Sequence, residues 1–270
     1  MFKNKLKTLE GSVFWPIVAI LGSIKKTIQN RKFQLLWKDS DGHWYTRQKG
    51  MTLYSTEIVV DTYDEISNKV NKYFLQSYKP KSGDTVIDVG AGIGDDAIFF
   101  SRQVGPDGIV IAIEANPDTF KCMLKTVSSN NLKNVICLNL ACTGSNTTVE
   151  ISRDQGYLSN RIYSDRQFKD PHIVEGKTIN QIIIEQKINE VSFLKLNIEG
   201  AEFDALSGAM SLIKSRTHFA VSCHDFKYLE GQGDFFKTYD KVADLFHQHN
   251  RQFYSIESND RELPYYIFTK

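Results

Sequence analysis

"DTVIDVGAGIGDDAIFF", residues 84–100, sets a short apolar run directly before three closely spaced glycines and then an apolar-periodic segment. The reading is a strand over 84–89, a sharp turn, and a helix from about 94. Gly90, Gly92 and Gly94 fall where the chain must turn with a ligand close to the backbone, and a Cβ there would obstruct the turn or the ligand. A dinucleotide turn places its third glycine where this chain has Asp95, so the spacing here is GxGxG and not GxGxxG. Asp95 and Asp96 put two carboxylates at a helix start, where they suit the helix dipole but repel a pyrophosphate. The turn therefore calls for a nucleotide-like ligand without phosphates.

The alternation continues downstream. We read a strand over 109–114, a helix over 117–129, a strand over 134–140, a strand in "VSFLKLNI" (191–198), a helix over 201–213 and a strand over 217–223. From Gly231 a helix follows, then "RQFYSIES" and "LPYYIFTK" as two strands closing the sheet as an antiparallel hairpin. Helices between strands predict right-handed crossovers, hence an α/β, doubly wound, mostly parallel sheet. Residues 143–190 break the rhythm, being polar with turn signals at Gly144, Gly156 and Pro171, and read as an insertion. Upstream, "TYDEISNKVNKYFLQSY" (62–78) lines Ile66, Val70, Tyr73, Phe74 and Ser77 along one helical face before Pro80. Asp41-Gly42, flanked by apolar and aromatic residues, signals a hairpin. The organisation expected is an accessory segment over 1–56 and a main domain over 57–270.

With 41% hydrophobic and 24% charged residues the composition is that of a globular protein. A net charge of +1 gives no long-range field to gather nucleic acid, which is excluded as an expected partner. The four cysteines, Cys122, Cys137, Cys142 and Cys223, show no CxxC spacing, and reduced thiols in a cytoplasmic protein are expected.

In "GSVFWPIVAILGSIKKTIQNRKF" (11–33) the apolar run from Val13 to Ile24 is shorter than the roughly 20 residues a membrane span takes. Phe14, Ile17, Leu21, Ile24 and Ile28 keep helical spacing, bracketed by Lys3, Lys5, Lys7, Lys25, Lys26, Arg31 and Lys32. The first reading is a helix packing its stripe on the domain or on a second copy in a homo-oligomer. The second is peripheral contact of residues 11–32 with the inner membrane face. A signal peptide comes last, since no small-residue cleavage site follows the run.

Two acids sharpen the ligand. Asp88 precedes the first glycine by two residues, where a carboxylate serves an ammonium or an ordered water. Glu114 ends the second strand, the place where a carboxylate accepts both hydroxyls of a ribose. Ribose, adenine and positive charge without phosphate describe S-adenosylmethionine. Each feature alone is ordinary turn or cap chemistry; their coincidence at successive strand ends is not.

"VIDVGAGIGDDAIFFSRQVGPDGIVIAIEANPDTF" (86–120) and "TINQIIIEQKINEVSFLKLNIEGAEFDALSGA" (178–209) resemble the two signatures of the FkbM-type methyltransferases, over roughly residues 63–225. The resemblance implies a class I methyltransferase fold, a seven-stranded sheet with one antiparallel strand. It also implies O-methylation of a small molecule, most often a sugar or glycan, using S-adenosylmethionine. By position, Asp88, Gly90, Gly92, Gly94 and Glu114 would hold the cofactor, with Asn116 continuing that loop and Asn139 and Ala141 beside the adenine. Glu65, Ala91, Asp95, Ala115 and Asn197 complete the candidate cofactor set.

This chain departs from that pattern at Asn197 and Asn180, where carboxylates are usual. Losing two acids weakens the case for a hard divalent cation, and no metal is expected. Methyl transfer to oxygen still needs an aligned acceptor, excluded water and a base. His224, at the end of "FAVSCHDF" (219–226), is the expected base, oriented by Asp225 or by Glu199 at the neighbouring strand end. Glu202 is read as merely starting the next helix. Two other functions stay open: a catalytically silent S-adenosylmethionine-binding module and a nucleotide-dependent oxidoreductase.

Overall fold

The computed structural model describes residues 15–30, 33–152 and 170–269. Its centre is a seven-stranded sheet built from β4 (Thr85–Val89), β5 (Ile109–Ile113), β6 (Val135–Leu138), β10 (Phe193–Leu196), β11 (His218–Ser222), β12 (Phe253–Tyr254) and β13 (Tyr266–Thr269). Their order is β12-β13-β11-β10-β4-β5-β6. β11, β10, β4, β5 and β6 pair in parallel, while β13 pairs antiparallel with both neighbours. The expected seven strands with one antiparallel member are thus present, and the C-terminal segments close the sheet as anticipated. The chain runs outward from β4 through β5 to β6, then returns to β10 beside β4 and runs the other way. That reversal between β4 and β10 opens a crevice at the carboxyl ends of the strands.

Continuous burial of β4, β5 and β10 reflects cover on both faces, which is why these strands read as apolar runs and not as alternations. Ile87, Val89, Ile111 and Ile113 point into one core with Leu194 and Phe219. Val86 and Val110 point into the other with Phe100, Phe193 and Phe268.

The helices start where the sequence supplies caps. α2 (Tyr63–Tyr73) begins with a capping box between Thr62 and Glu65. α3 (Asp95–Val104) follows Gly94 at φ 85°, and α4 (Pro117–Ser129) has Asn116 as its cap, accepting from the amides of Asp118 and Thr119. The expected helix over 201–213 is two, α6 (Glu202–Ser207) and α7 (Met210–Ile213), separated by Gly208. A Cβ at Gly208 would lie 2.3 Å from the Thr143 carbonyl oxygen, so the insertion presses against the break. After β11 the chain forms α8 (Asp225–Leu229) before the later α9 (Tyr239–Gln248).

The insertion is itself structured: its β8 (Thr147–Ile151) and β9 (His172–Lys177) form a small sheet with β7 (Ala141–Cys142) just before it, and α5 (Ile179–Glu185) follows. The turn expected at Gly156 lies outside the described residues. The accessory segment holds α1 (Trp15–Asn30) and a sheet of β1 (Gln34–Lys38), β2 (Trp44–Gln48) and β3 (Met51–Ser55), the hairpin at Asp41-Gly42 gaining a third strand. All four cysteines are free thiols, three of them buried.

The N-terminal helix corrects the expectation that its stripe packs on the domain. α1 lies along β1 and buries Val18 and Ala19, while Ile17, Leu21, Ile24 and Ile28 are exposed. Polar groups decide this orientation. Ser23 Oγ accepts from the Leu36 amide at 2.9 Å and Thr27 Oγ1 from the Gln34 amide at 3.1 Å, satisfying the outer edge of β1. Phe14 lies outside the described residues. Among them, no helix is long and apolar enough to cross a membrane.

Candidate active site

A cleft with about 900 Å³ of empty space, its open mouth included, occupies the reversal point. The turn after β4 supplies Gly90, Ala91 and Gly92, and α3 supplies Asp95 and Asp96. Glu114 and Ala115 come from the end of β5, and Leu140, Ala141 and Cys142 from β7 and the residue before it. Asn197, Ile198 and Glu199 follow β10.

Gly90 owes its identity to the neighbouring strand. Its φ is 76°, and a Cβ would stand 2.0 Å from the Asn197 carbonyl oxygen, inside any contact distance. The Gly92 amide donates to Glu114 Oε2 at 3.0 Å, and the Asn116 amide to Oε1 at 2.8 Å. The Glu114 carboxylate is therefore held by two strand-end amides, and each oxygen keeps further acceptor capacity. Burial pushes its pKa up to about 7, against the lowering pull of those amides. Asp95, half-buried at the start of α3, is likewise pushed up to about 7 by burial and by Asp96.

Asp88 does not line the cleft. It is fully buried beneath it, with Oδ1 2.7 Å from Lys195 Nζ. The ammonium expected for Asp88 belongs to the protein itself. Lys195 also lies 3.0 Å from Asp96 Oδ2 and donates to the Gly90 carbonyl at 3.1 Å. Flanking carboxylates outweigh burial and hold the lysine charged, while burial and the Asp96 charge raise Asp88 to about 6. Asp88 Oδ2 has no hydrogen-bond partner. Lys195 escaped the sequence reading, although a lysine inside the apolar run "FLKL" is the signal, since a buried charge needs a partner.

The expected catalytic group is arranged differently from the reading. His224 is 3% exposed and does not line the cleft. Its Nδ1 lies 2.7 Å from Glu202 Oε1 and its Nε2 3.5 Å from Glu199 Oε1. Burial favours a neutral ring, but the two carboxylates prevail and push the pKa up to about 9. Buried off the cleft with both ring nitrogens facing carboxylates, His224 is arranged to hold its proton and not to take one from an acceptor in the cleft, which departs from its expected role. Glu202 is fully buried and does more than start a helix, since it also accepts from the Gly200 amide and from Thr238 Oγ1.

Asp225 turns away from the histidine. Its Oδ2 accepts from the amides of Thr238 and Tyr239, holding the start of α9, so it does not orient His224. Glu199 is the member of the expected trio that reaches the cleft. Its backbone is in the left-handed region at φ 59°, uncommon for a residue with a side chain and costly unless the surroundings hold it. Lys227 pairs with one carboxylate oxygen and His224 faces the other. Burial would raise the Glu199 pKa; these two cations outweigh it and hold the carboxyl below its ordinary range.

Other candidates have structural work. Glu65 is engaged with Thr62 in the capping box and does not line the cleft. Asn116 caps α4, and its amide positions Glu114. Asn139 Nδ2 donates to the carbonyls of Glu114 and Ala115, tying the β6 end to the β5 end from outside the lining. Asn180 accepts from Ser211 and also lies off the cleft. A gathering of metal-ligating side chains among the described residues, Asp39, Asp41 and His43, belongs to the accessory sheet. There the Lys125 ammonium sits within 2.9 Å of all three.

Comparison with known proteins agrees with this geometry. The model of the methyltransferase FkbM domain matches residues 88–253. A demethylmenaquinone methyltransferase of Lactobacillus johnsonii is 32% identical over 118 residues, 41% of this chain and 42% of that protein. An arsenite methyltransferase of Halobacterium salinarum is 38% identical over 53 residues, 20% of this chain and 14% of that one. The chain thus spans less than half the length of these curated relatives. A solved structure of methyltransferase FkbM from Methylobacillus flagellatus shares the fold with a TM-score of 0.51 at 15% identity, covering 77% of this chain and 50% of that one.

Proposed function

We propose that this chain, which belongs to the methyltransferase FkbM family, is an S-adenosylmethionine-dependent methyltransferase acting on a hydroxyl oxygen of a small molecule, a sugar or glycan first among them. The observation that carries the reading is the charge of the cleft. Asp95, Asp96, Glu114 and Glu199 line it, and Lys195, the one cation among its described lining residues, is already paired with Asp88 and Asp96. Such a lining suits a cationic nucleoside and opposes a pyrophosphate, which argues against the dinucleotide oxidoreductase.

The residues present fit the cofactor. Glu114, fixed by two amides with acceptor capacity to spare, suits a pair of ribose hydroxyls. Asp95, pushed up to about 7 by burial and by Asp96 against the pull of Lys195, suits an ammonium whose charge would restore its ionised form. Leu140, Ala141 and Cys142 supply an apolar wall for a base. Bound there, S-adenosylmethionine would supply a methyl group activated by a sulfonium.

The work left to the protein is to align the acceptor and take its proton. Glu199 is the carboxylate at the cleft margin, and Lys227 and His224 hold it from behind. Its lowered pKa makes it a weak base, which suffices when the proton leaves late, because the acceptor oxygen becomes strongly acidic as the C–O bond forms. The hydroxyl proton then passes to Glu199 as the methyl reaches oxygen, and the imidazolium of His224 stabilises the carboxylate's orientation without titrating. A catalytically silent binding module would have no need for a carboxylate braced in a left-handed backbone at the cleft.

The test is incubation with isotopically labelled S-adenosylmethionine and a panel of hydroxylated sugars and fractionated metabolites, followed by mass spectrometry. A labelled methyl ether supports the reading. Binding without consumption favours the silent module, and a methyl found on nitrogen or carbon overturns the acceptor class.

A further inference from the structure

Among the described residues, eleven large hydrophobic side chains are exposed, and six of them fall between positions 17 and 33. Ile17, Ile20, Leu21, Ile24 and Ile28 follow the spacing of one α-helical face, with Phe33 just beyond the helix, each more than half exposed. The other five are scattered singly over the remaining chain, as is usual for soluble surfaces. A continuous stripe of this size is not.

The orientation is built in. Trp15 packs edge-on against Trp37 and Trp44 at 5.0 and 6.0 Å, and Gly22 lets Leu36 approach the helix closely. With Ser23 and Thr27 serving the β1 amides, the inner face of α1 is specified by both packing and hydrogen bonds, so the apolar face can only look outward.

Charge identifies the occupant. Residues 11–38 contain no Asp or Glu, and residues 1–38 hold eight of the 33 basic residues but only one of the 32 acidic ones. The rest of the chain is therefore net acidic. Lys25 flanks the apolar stripe on the helix, and Phe33 extends it. We propose that α1 docks on an anionic lipid surface, lying in the interface with its isoleucine face among the acyl chains and its lysines toward the headgroups. A second copy of this chain on the same face would set one acid-free, lysine-flanked stripe against another and bring like charges together. A helix too short to span still lies on a bilayer, which fits the length of α1.

The test uses the full chain with vesicles of pure phosphatidylcholine and of equimolar phosphatidylcholine and phosphatidylglycerol. Co-sedimentation is expected with the anionic vesicles, weakening as salt is raised, and little with the neutral ones. Leu21→Glu and Ile24→Glu should each lower the partition coefficient about tenfold or more with unchanged melting temperature, since both side chains are solvent-exposed in the free protein. Absence of binding to anionic vesicles, or binding that neither substitution weakens, overturns the proposal. So does a dimer, measured by light scattering, that both substitutions dissociate while vesicles bind nothing.

Discussion

Lys195 Nζ stands 2.7 Å from Asp88 Oδ1 because the parallel register of β10 and β4 sets these two residues side by side. Both are buried, Asp88 beneath the cleft and Lys195 at its lining, and the lysine also reaches Asp96 and the Gly90 carbonyl. One side chain thus ties the central strand, the glycine turn and the first turn of α3 into a single rigid floor. Breaking such a pair by removing one partner is costly because it leaves an uncompensated buried charge. Lys195→Met should destabilise the fold by about 3 to 5 kcal/mol in chemical denaturation, and Asp88→Asn added to it should recover part of that loss. Equal stability of Lys195→Met and the parent would show that the pair does not hold the floor.

Glu114 is expected to govern cofactor affinity. Two ribose hydrogen bonds to a charged acceptor, each worth about 1.5 to 3 kcal/mol, predict a loss of about 2 to 4 kcal/mol for Glu114→Ala, read by calorimetry. With the free carboxyl near 7, the ionised acceptor becomes dominant only above neutrality. Affinity should therefore tighten as pH rises through about 7, and Glu114→Gln should remove part of that dependence, the remainder belonging to Asp95. An unchanged Kd in the alanine variant would remove Glu114 from the site.

The His224 imidazolium makes stability pH-dependent. Its pKa is about 9 in the fold and 6.5 as the ordinary value, so its contribution is fully present below 6.5 and is lost as pH climbs through 9. The difference corresponds to on the order of 3 kcal/mol. Denaturation midpoints should fall over that window in the parent and stay flatter in His224→Gln. A ring that titrates near 6.5 by NMR would refute the clamp between Glu199 and Glu202.

Catalysis should separate from binding at Glu199. Glu199→Gln is expected to keep cofactor affinity while turnover falls roughly 10²-fold, the lower scale of general-base catalysis. His224→Gln should lower turnover less, since that ring acts on Glu199 and not on the acceptor. Should His224→Gln lose more than Glu199→Gln, the order of roles assigned to this pair is reversed.

Chelation is the remaining test. Asn197, at a position where the resemblance led us to expect an acid, lines the cleft, and Asn180 lies away from it, bonded to Ser211. Methyl transfer should therefore survive EDTA. Activity lost in EDTA and restored by a divalent ion would show that the cleft recruits a metal through Asp95, Asp96 or Glu199.

The pattern of apolar runs, glycines and caps was enough to place β4, β5, α3 and α4, to order the closing strands, and to put Gly90, Gly92, Asp95, Glu114 and Glu199 at strand ends that share one cleft, while Ala141 and Asn197 were expected there through the resemblance. These features are local: strand burial on two faces, positive φ at a turn and a cap before a helix are all written within a few residues. Partnership is not local. That Lys195 answers Asp88, that Glu202 and Glu199 hold His224 charged, and that Asp225 faces α9 instead of the histidine depend on strand register and on loops closing over tens of residues. Asp88 and His224 looked like ligands for something from outside, and only packing could reveal that the protein had supplied their counter-ions. The same holds for α1. Its periodicity announced an amphipathic helix, but which face turns inward was decided by the outer-edge amides of β1, which took the hydroxyls of Ser23 and Thr27 and left the isoleucines to the outside.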